Sequence, residues 1–98
     1  CAQALSRGEC TRAIVMCGSG IGASICANKV KSVRAALCLE AEQAKLSRQH
    51  NDANCLVLSG RLRSIEINLD FVRIWFQEEF EGGRHQRRID LLHEQTGC

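Results

Sequence analysis

The chain has 98 residues, 45% hydrophobic and 24% charged, which fits one globular domain and excludes a disordered chain or a pair of domains. Its 13 Lys and Arg against 11 Asp and Glu leave a net charge of +2, too balanced for a surface that binds nucleic acid or anionic membrane throughout. No apolar run approaches the roughly 18 residues of a membrane span, and the start lacks the features of a signal peptide, so the expected compartment is the cytoplasm.

In chain order, residues 1–5 read as helix interior, and residues 13–17, 34–39 and 55–59 are apolar runs of the kind that form buried parallel strands. A helical segment follows each run, over residues 22–31, 41–49 and 64–79. In the third, Ile65, Leu69, Val72 and Phe76 form a stripe expected to face a sheet, with Glu66, Asp70, Arg73 and Gln77 on another face. Ser64 is the expected N-cap, and Gly82-Gly83 separates this segment from a last helix over 85–95 that carries Ile89 and Leu92. Alternating strands and helices without a hairpin signal predict a single α/β domain over residues 1–98, a doubly wound parallel sheet of three strands. Function in such sheets sits at the C-terminal ends of the strands.

The seven cysteines are odd in number and contain no Cys-x-x-Cys. With Cys17, Cys38 and Cys55 in or beside apolar runs, most are expected to be buried free thiols rather than a disulfide framework. The Cys and His residues also lack the spacing of a zinc site, and no metal is expected.

The most informative stretch is Cys17-Gly18-Ser19-Gly20-Ile21-Gly22-Ala23-Ser24, between the first strand and its helix. A turn this rich in glycine aims successive N–H groups at one point and adds the positive end of a helix, which makes an anion site. Three readings are open at this point. Gly18-x-Gly20-x-x-Ala23 with Glu40 after the next strand matches a dinucleotide-binding fingerprint. The loop also resembles the phosphocysteine loop of the B-subunits of sugar phosphotransferase systems, with Cys17 as nucleophile. Finally, Cys17 can be the buried end of a strand, with glycines that allow close helix packing.

The rest of the chain adds Ala27-Asn28-Lys29-Val30, Arg34-Ala35-Ala36-Leu37-Cys38, His50-Asn51-Asp52-Ala53-Asn54, Ser59-Gly60-Arg61 and Phe80-Glu81-Gly82-Gly83-Arg84-His85-Gln86-Arg87-Arg88. With the glycine loop, this set resembles type B ribose-5-phosphate isomerase in order and spacing over nearly the whole chain. That family also includes allose- and galactose-6-phosphate isomerases. The resemblance implies a doubly wound α/β fold, a homodimer or tetramer with interface active sites, and a sugar-phosphate substrate. It implies no metal; no cofactor is expected, and neither nucleic acid nor membrane as a partner. The reaction is reversible interconversion of ribose 5-phosphate and ribulose 5-phosphate through an enediolate, as in the pentose phosphate pathway. Family members begin with a further strand, helix and strand, the first strand bearing an Asp-His pair, so the chain reads as an N-terminally truncated isomerase domain that could be inactive as a fragment.

The resemblance assigns roles residue by residue. Cys17 is the base, consistent with the lowered pKa of thiols at helix N-termini. Ser19 helps open the sugar ring, and the N–H groups of Gly18, Gly20, Ile21 and Gly22 hold the enediolate oxygen. Asn51 binds the reacting sugar, and His50 serves ring opening or hydroxyl recognition across the dimer interface. Arg61, Arg84 and Arg88 bind phosphate, for which guanidinium forks are suited. Arg87 is expected to be a surface charge. Hexose-6-phosphate isomerisation stays open because those relatives share the motifs. A dinucleotide-binding module also stays open, although it predicts nothing about His50-Asn51 or the arginines. Leu39-Glu40-Ala41-Glu42 stands where the family often has His-Asp-x-Tyr, a departure that puts local loop contacts in doubt.

Overall fold

The computed structural model describes residues 1–98. The elements run α1 (Ala2–Ser6), β1 (Ala13–Cys17), α2 (Ile21–Asn28), β2 (Ala35–Leu37), α3 (Ala41–Gln49), β3 (Cys55–Ser59), α4 (Ile65–Gln77) and α5 (Arg84–Thr96). The three strands form one parallel sheet in the order β1-β3-β2, in register from Ala13 opposite Cys55 to Cys17 opposite Ser59. All five residues of β3 are buried, as a central strand covered on both faces requires.

Strand alternation divides the core into two layers. On one face, Cys55 and Val57 pack with Ala13, Ala27 and Val33 and with Leu5 of α1. On the other, Leu56 and Leu58 pack with Cys38, Ala44, Phe71 and Trp75 from β2, α3 and α4. Burial of a large side chain such as Phe71 stabilises the fold by about 1.5–3 kcal/mol. β1 pairs only with β3, and its Ile14 and Met16 are 41% and 49% exposed on the face shared with Leu56 and Leu58.

Helix starts follow the local chemistry. The Ser64 Oγ accepts the Ile67 N–H at 3.3 Å, as expected for an N-cap. Glu40 and Gln43 form a reciprocal capping box on α3. Glu40 also pairs with Arg63 at 3.1 Å, so the residue expected to hold a ribose in a dinucleotide site is occupied with capping. No helix is long and apolar enough to cross a membrane.

The expected stripe of α4 is corrected by the structure. Ile65, Leu69 and Phe76 are exposed, and the buried face is Asn68, Phe71 and Trp75, with Val72 half-buried. A polar residue occupies the inward stripe because the Asn68 Nδ2 donates to the Ser59 carbonyl at 2.9 Å. β2 is shorter than the apolar run, because the Arg34 side chain is drawn into the turn at Asn51-Asp52. α2 ends at Asn28, before a turn in which Ser32 takes a positive φ of 66°. The expectation about cysteines is also corrected. All seven are free, but only Cys38 and Cys55 are buried, while Cys1, Cys17 and Cys26 are exposed.

Candidate functional site

The glycine loop leaves the sheet at the C-terminal end of β1, with Cys17 exposed as the last strand residue. Neighbouring chain holds the loop from below. The N–H groups of Gly60 and Arg61 donate to the carbonyls of Cys17 and Gly18, each at 2.9 Å. The Ser59 hydroxyl donates to the Gly18 carbonyl at 2.6 Å and accepts the Leu62 N–H at 3.0 Å. Asn68 fixes Ser59 in turn, so a buried polar chain runs from α4 to the loop. Ser59 and Asn68 thus act as supports, a role that motif reading did not assign to them.

Gly20 is the N-cap of α2 and has φ +85°, a left-handed conformation natural only to glycine here. A Cβ at this position would lie 2.4 Å from Leu37 Cδ1 and 3.3 Å from the Leu58 carbonyl oxygen. The chain therefore passes directly over the sheet before turning into α2. The N–H groups of Gly18, Ser19, Gly20 and Gly22 find no acceptor in the chain and remain available to an anion. The expectation for Ile21 is corrected, because its N–H already donates to Ser19 Oγ at 3.2 Å. Arg61 leans over the loop, with its Nη2 at 3.1 Å from where a Cβ on Gly18 would sit. Thiol, hydroxyl, free amides and one guanidinium thus share one end of the sheet.

His50 and Asn51 lie elsewhere. α3 runs back antiparallel to the strands, so its C-cap His50 lies at the strands' N-terminal end, roughly 13 Å from the loop for a five-residue strand. There Arg34 holds the turn by donating to the carbonyls of Asn51 at 3.1 Å and Asp52 at 2.8 Å, and Arg48 pairs with Asp52 at 2.8 Å. Asn54 completes it, accepting the Arg34 N–H at 2.8 Å and donating to the Ser32 carbonyl at 2.9 Å. Asp52 takes a positive φ of 45° in this turn. The turn borders a cleft of about 600 Å³ between α5 and the outer edge of β2, where His50, Asn51 and Arg88 meet Arg34, Asn28 and Ser47.

His85, in the first turn of α5, stacks on His50 with ring centroids 4.3 Å apart and planes 12° apart. Glu81 faces both rings, with its Oε1 3.8 Å from His50 Nε2 and 3.7 Å from His85 Nε2. The Glu81 N–H donates to the Gln49 carbonyl at 3.0 Å, which ties the Gly82-Gly83 linker to the end of α3. Arg88 reaches His85 Nδ1 from the next turn of α5. Burial pushes the His85 imidazole below its ordinary pKa of 6.5, helped by His50, Arg88 and Arg84 and opposed by Glu81.

The structure thus divides the expected site residues into two groups. Cys17, Ser19, Gly18, Gly20, Gly22 and Arg61 share the C-terminal end of the sheet. His50, Asn51 and Arg88 border the cleft at the opposite end, and Arg84 and Arg87 are exposed on α5 nearby. The expected clamp of three arginines is not assembled within one chain, because Arg61 belongs to the first group and Arg84 and Arg88 to the second. Arg34, Glu81 and His85 were not singled out by motif reading. The expectation that Cys and His residues are scattered is corrected too, since folding brings His50, Glu81 and His85 within 4.8 Å of one another.

The sequence profile of the ribose/galactose isomerase family matches residues 1–92. Ribose-5-phosphate isomerase B of Escherichia coli is 43% identical over 91 residues, which are 93% of this chain and 61% of that protein. The structure of ribose-5-phosphate isomerase B from Clostridium thermocellum superposes with a TM-score of 0.95 at 47% identity, covering 98% of this chain and 65% of that one. The Mycoplasma genitalium ribose-5-phosphate isomerase B, solved with bound ribulose-5-phosphate, gives a TM-score of 0.93 at 40% identity, covering 98% and 64%. The chain spans about 60% of the length of the curated relatives it matches. With the family profile matched over residues 1–92 and the fold shared at this level, the chain belongs to the ribose/galactose isomerase family.

Proposed function

We propose that this chain carries most of an aldose–ketose isomerase site for a sugar phosphate, with ribose 5-phosphate and ribulose 5-phosphate as the substrate pair. The observation that carries the reading is the exposed Cys17 thiol beside a loop whose amides find no acceptor in the chain. Isomerisation needs a base to move a proton from C2 to C1 and fixed donors for the oxygen that becomes negative in the enediolate. Cys17 as thiolate is the base, and the N–H groups of Gly18, Ser19, Gly20 and Gly22 are the donors. In other enzymes, loss of one such donor raises the barrier by about 3–4 kcal/mol. Ser19, whose oxygen already accepts the Ile21 N–H, keeps its hydroxyl proton free for the ring oxygen during opening.

The separation of the two residue groups favours a site shared by two copies of the chain. The loop and Arg61 come from one copy, and His50, Asn51, Arg84 and Arg88 from the other. His50 and Asn51 then meet the open sugar, and the arginines its phosphate. The bound ribulose-5-phosphate of the Mycoplasma genitalium relative supports a five-carbon substrate over a hexose phosphate.

Incubation with ribose 5-phosphate in heavy water tests the reading. Ribulose 5-phosphate carrying solvent deuterium at C1 is expected, and Cys17→Ala should abolish both turnover and exchange while phosphate binding persists. Wild-type exchange by Cys17→Ala, or turnover of hexose 6-phosphates alone, would contradict it. Binding of NADH, read by fluorescence, would favour the dinucleotide module instead.

A further inference from the structure

We propose that Ser59 and Asn68 are positioning residues for the reaction: through the Gly18 carbonyl they aim the Ser19 N–H at the oxygen that becomes negative in the enediolate. That role rests on the isomerase reading and extends the site to two buried side chains behind the loop, 0% and 2% exposed.

In a planar trans peptide the C=O and the N–H of the next residue point in opposite directions. The Cys17 carbonyl is held toward the turn at Gly60-Arg61 by the Gly60 N–H at 2.9 Å. The Gly18 carbonyl is held the same way by the Arg61 N–H at 2.9 Å and by the Ser59 hydroxyl at 2.6 Å. The N–H groups of Gly18 and Ser19 therefore face away from that turn, and neither meets an acceptor in the chain. Of the three anchors, only the Ser59 hydroxyl is a side chain, so it is the one that sequence can change without moving the backbone.

The hydroxyl is itself held. It accepts the Leu62 N–H at 3.0 Å, which leaves its own proton for Gly18. The Ser59 carbonyl accepts from Asn68 Nδ2 at 2.9 Å, which ties α4 to the end of β3. Asn68 Oδ1, by contrast, is enclosed and has no partner. A buried acceptor left unpaired is costly and asks for a reason. An apolar side chain would fill the stripe shared with Phe71 and Trp75 without that cost, so the amide is retained for what it holds. What it holds is the residue whose hydroxyl sets the loop.

Kinetics of two variants test the role. Ser59→Ala deletes one oxygen, and its kcat for ribose 5-phosphate should fall about 10- to 100-fold. Outright loss of a donor costs about 10²–10³-fold, and here the Arg61 N–H still holds the Gly18 carbonyl. KM should stay within about threefold, the pattern of an interaction made in the transition state alone. Asn68→Ala acts one step further out and should show the same split at smaller size. A phosphorylated hydroxamate that mimics the enediolate should lose affinity for Ser59→Ala by the same factor as kcat, while ribose 5-phosphate binding is kept. Circular dichroism checks that both variants keep the fold. An unchanged kcat in folded Ser59→Ala, or equal losses of affinity for the hydroxamate and for ribose 5-phosphate, would overturn the positioning role and leave the isomerase reading standing. A parent chain that neither turns over ribose 5-phosphate nor binds the hydroxamate would overturn the isomerase reading, and the positioning role with it.

Discussion

Gly20→Ala probes the turn on which the anion site depends. The added Cβ meets Leu37 Cδ1 at 2.4 Å and the Leu58 carbonyl oxygen at 3.3 Å, and the backbone φ of +85° is one that L residues rarely adopt. The left-handed conformation costs about 1–2 kcal/mol for a residue with a Cβ. Forcing a methyl group into a packed contact adds about 1–3 kcal/mol, because Leu37 must leave its rotamer or the loop must lift. The sum, about 2–5 kcal/mol, is a large share of the 5–15 kcal/mol typical of a whole domain. Gly22→Ala is the internal control. It has no positive φ and no atom within 4 Å of its Cβ, and it lies in the first turn of α2, so it should stabilise by up to about 1 kcal/mol. Urea denaturation followed by circular dichroism distinguishes the two. With a slope of about 2 kcal/mol per M, Gly20→Ala should lower the midpoint by at least about 1 M, and Gly22→Ala should leave it equal or higher. A midpoint for Gly20→Ala equal to that of the parent would refute the argument that the loop is pressed against β2 and β3.

Two further outcomes follow from titration and burial. The folded pKa of His85 lies below its ordinary 6.5, so the unfolded chain takes up the proton first as pH falls. Stability should be full above about pH 6.5, decline below it, and level off once pH passes the depressed value; His85→Gln should flatten that decline, and an unchanged slope would show that other groups cause it. Cys38 is fully buried with its thiol pushed up to about 11, and burial raises Cys55 as well, so neither should react with iodoacetamide in the native chain at neutral pH. Mass mapping should instead find label on Cys1, Cys17 and Cys26, with Cys38 and Cys55 modified only in urea.

The three strands were legible because each is a short apolar run bounded by turns, and α5 was legible from the glycine pair before it and the spacing of Ile89 and Leu92. The inward face of α4 was not. Ile65, Leu69 and Phe76 outnumber Phe71 and Trp75 in the pattern, yet Asn68 completes the buried stripe because the Ser59 carbonyl needs its amide. Hydropathy counts Asn68 as outward, so the hydrogen bond is invisible to it. The glycine loop and the His50-Asn51 turn could be named from residue order, since such motifs are local. Their positions at opposite ends of the sheet could not, because that depends on the direction in which α3 returns. Arg34 reads as the polar start of a strand, although its guanidinium organises the turn before β3. Glu81 lies inside the Phe80–Arg88 motif without a role of its own there, and becomes noticeable only once His50 and His85 stack beside it.

A sugar-phosphate isomerase site completed by two copies of the chain, as proposed above, is tested most directly by mixing two inactive variants. Cys17→Ala spoils the loop half of each site, and His50→Ala the cleft half. After denaturation together and refolding at equal amounts, half of the symmetric dimers are mixed and each holds one intact site, so about a quarter of wild-type ribose 5-phosphate turnover should return. Activity no higher than that of either variant alone, in a mixture shown to contain the mixed dimer, would contradict a shared site.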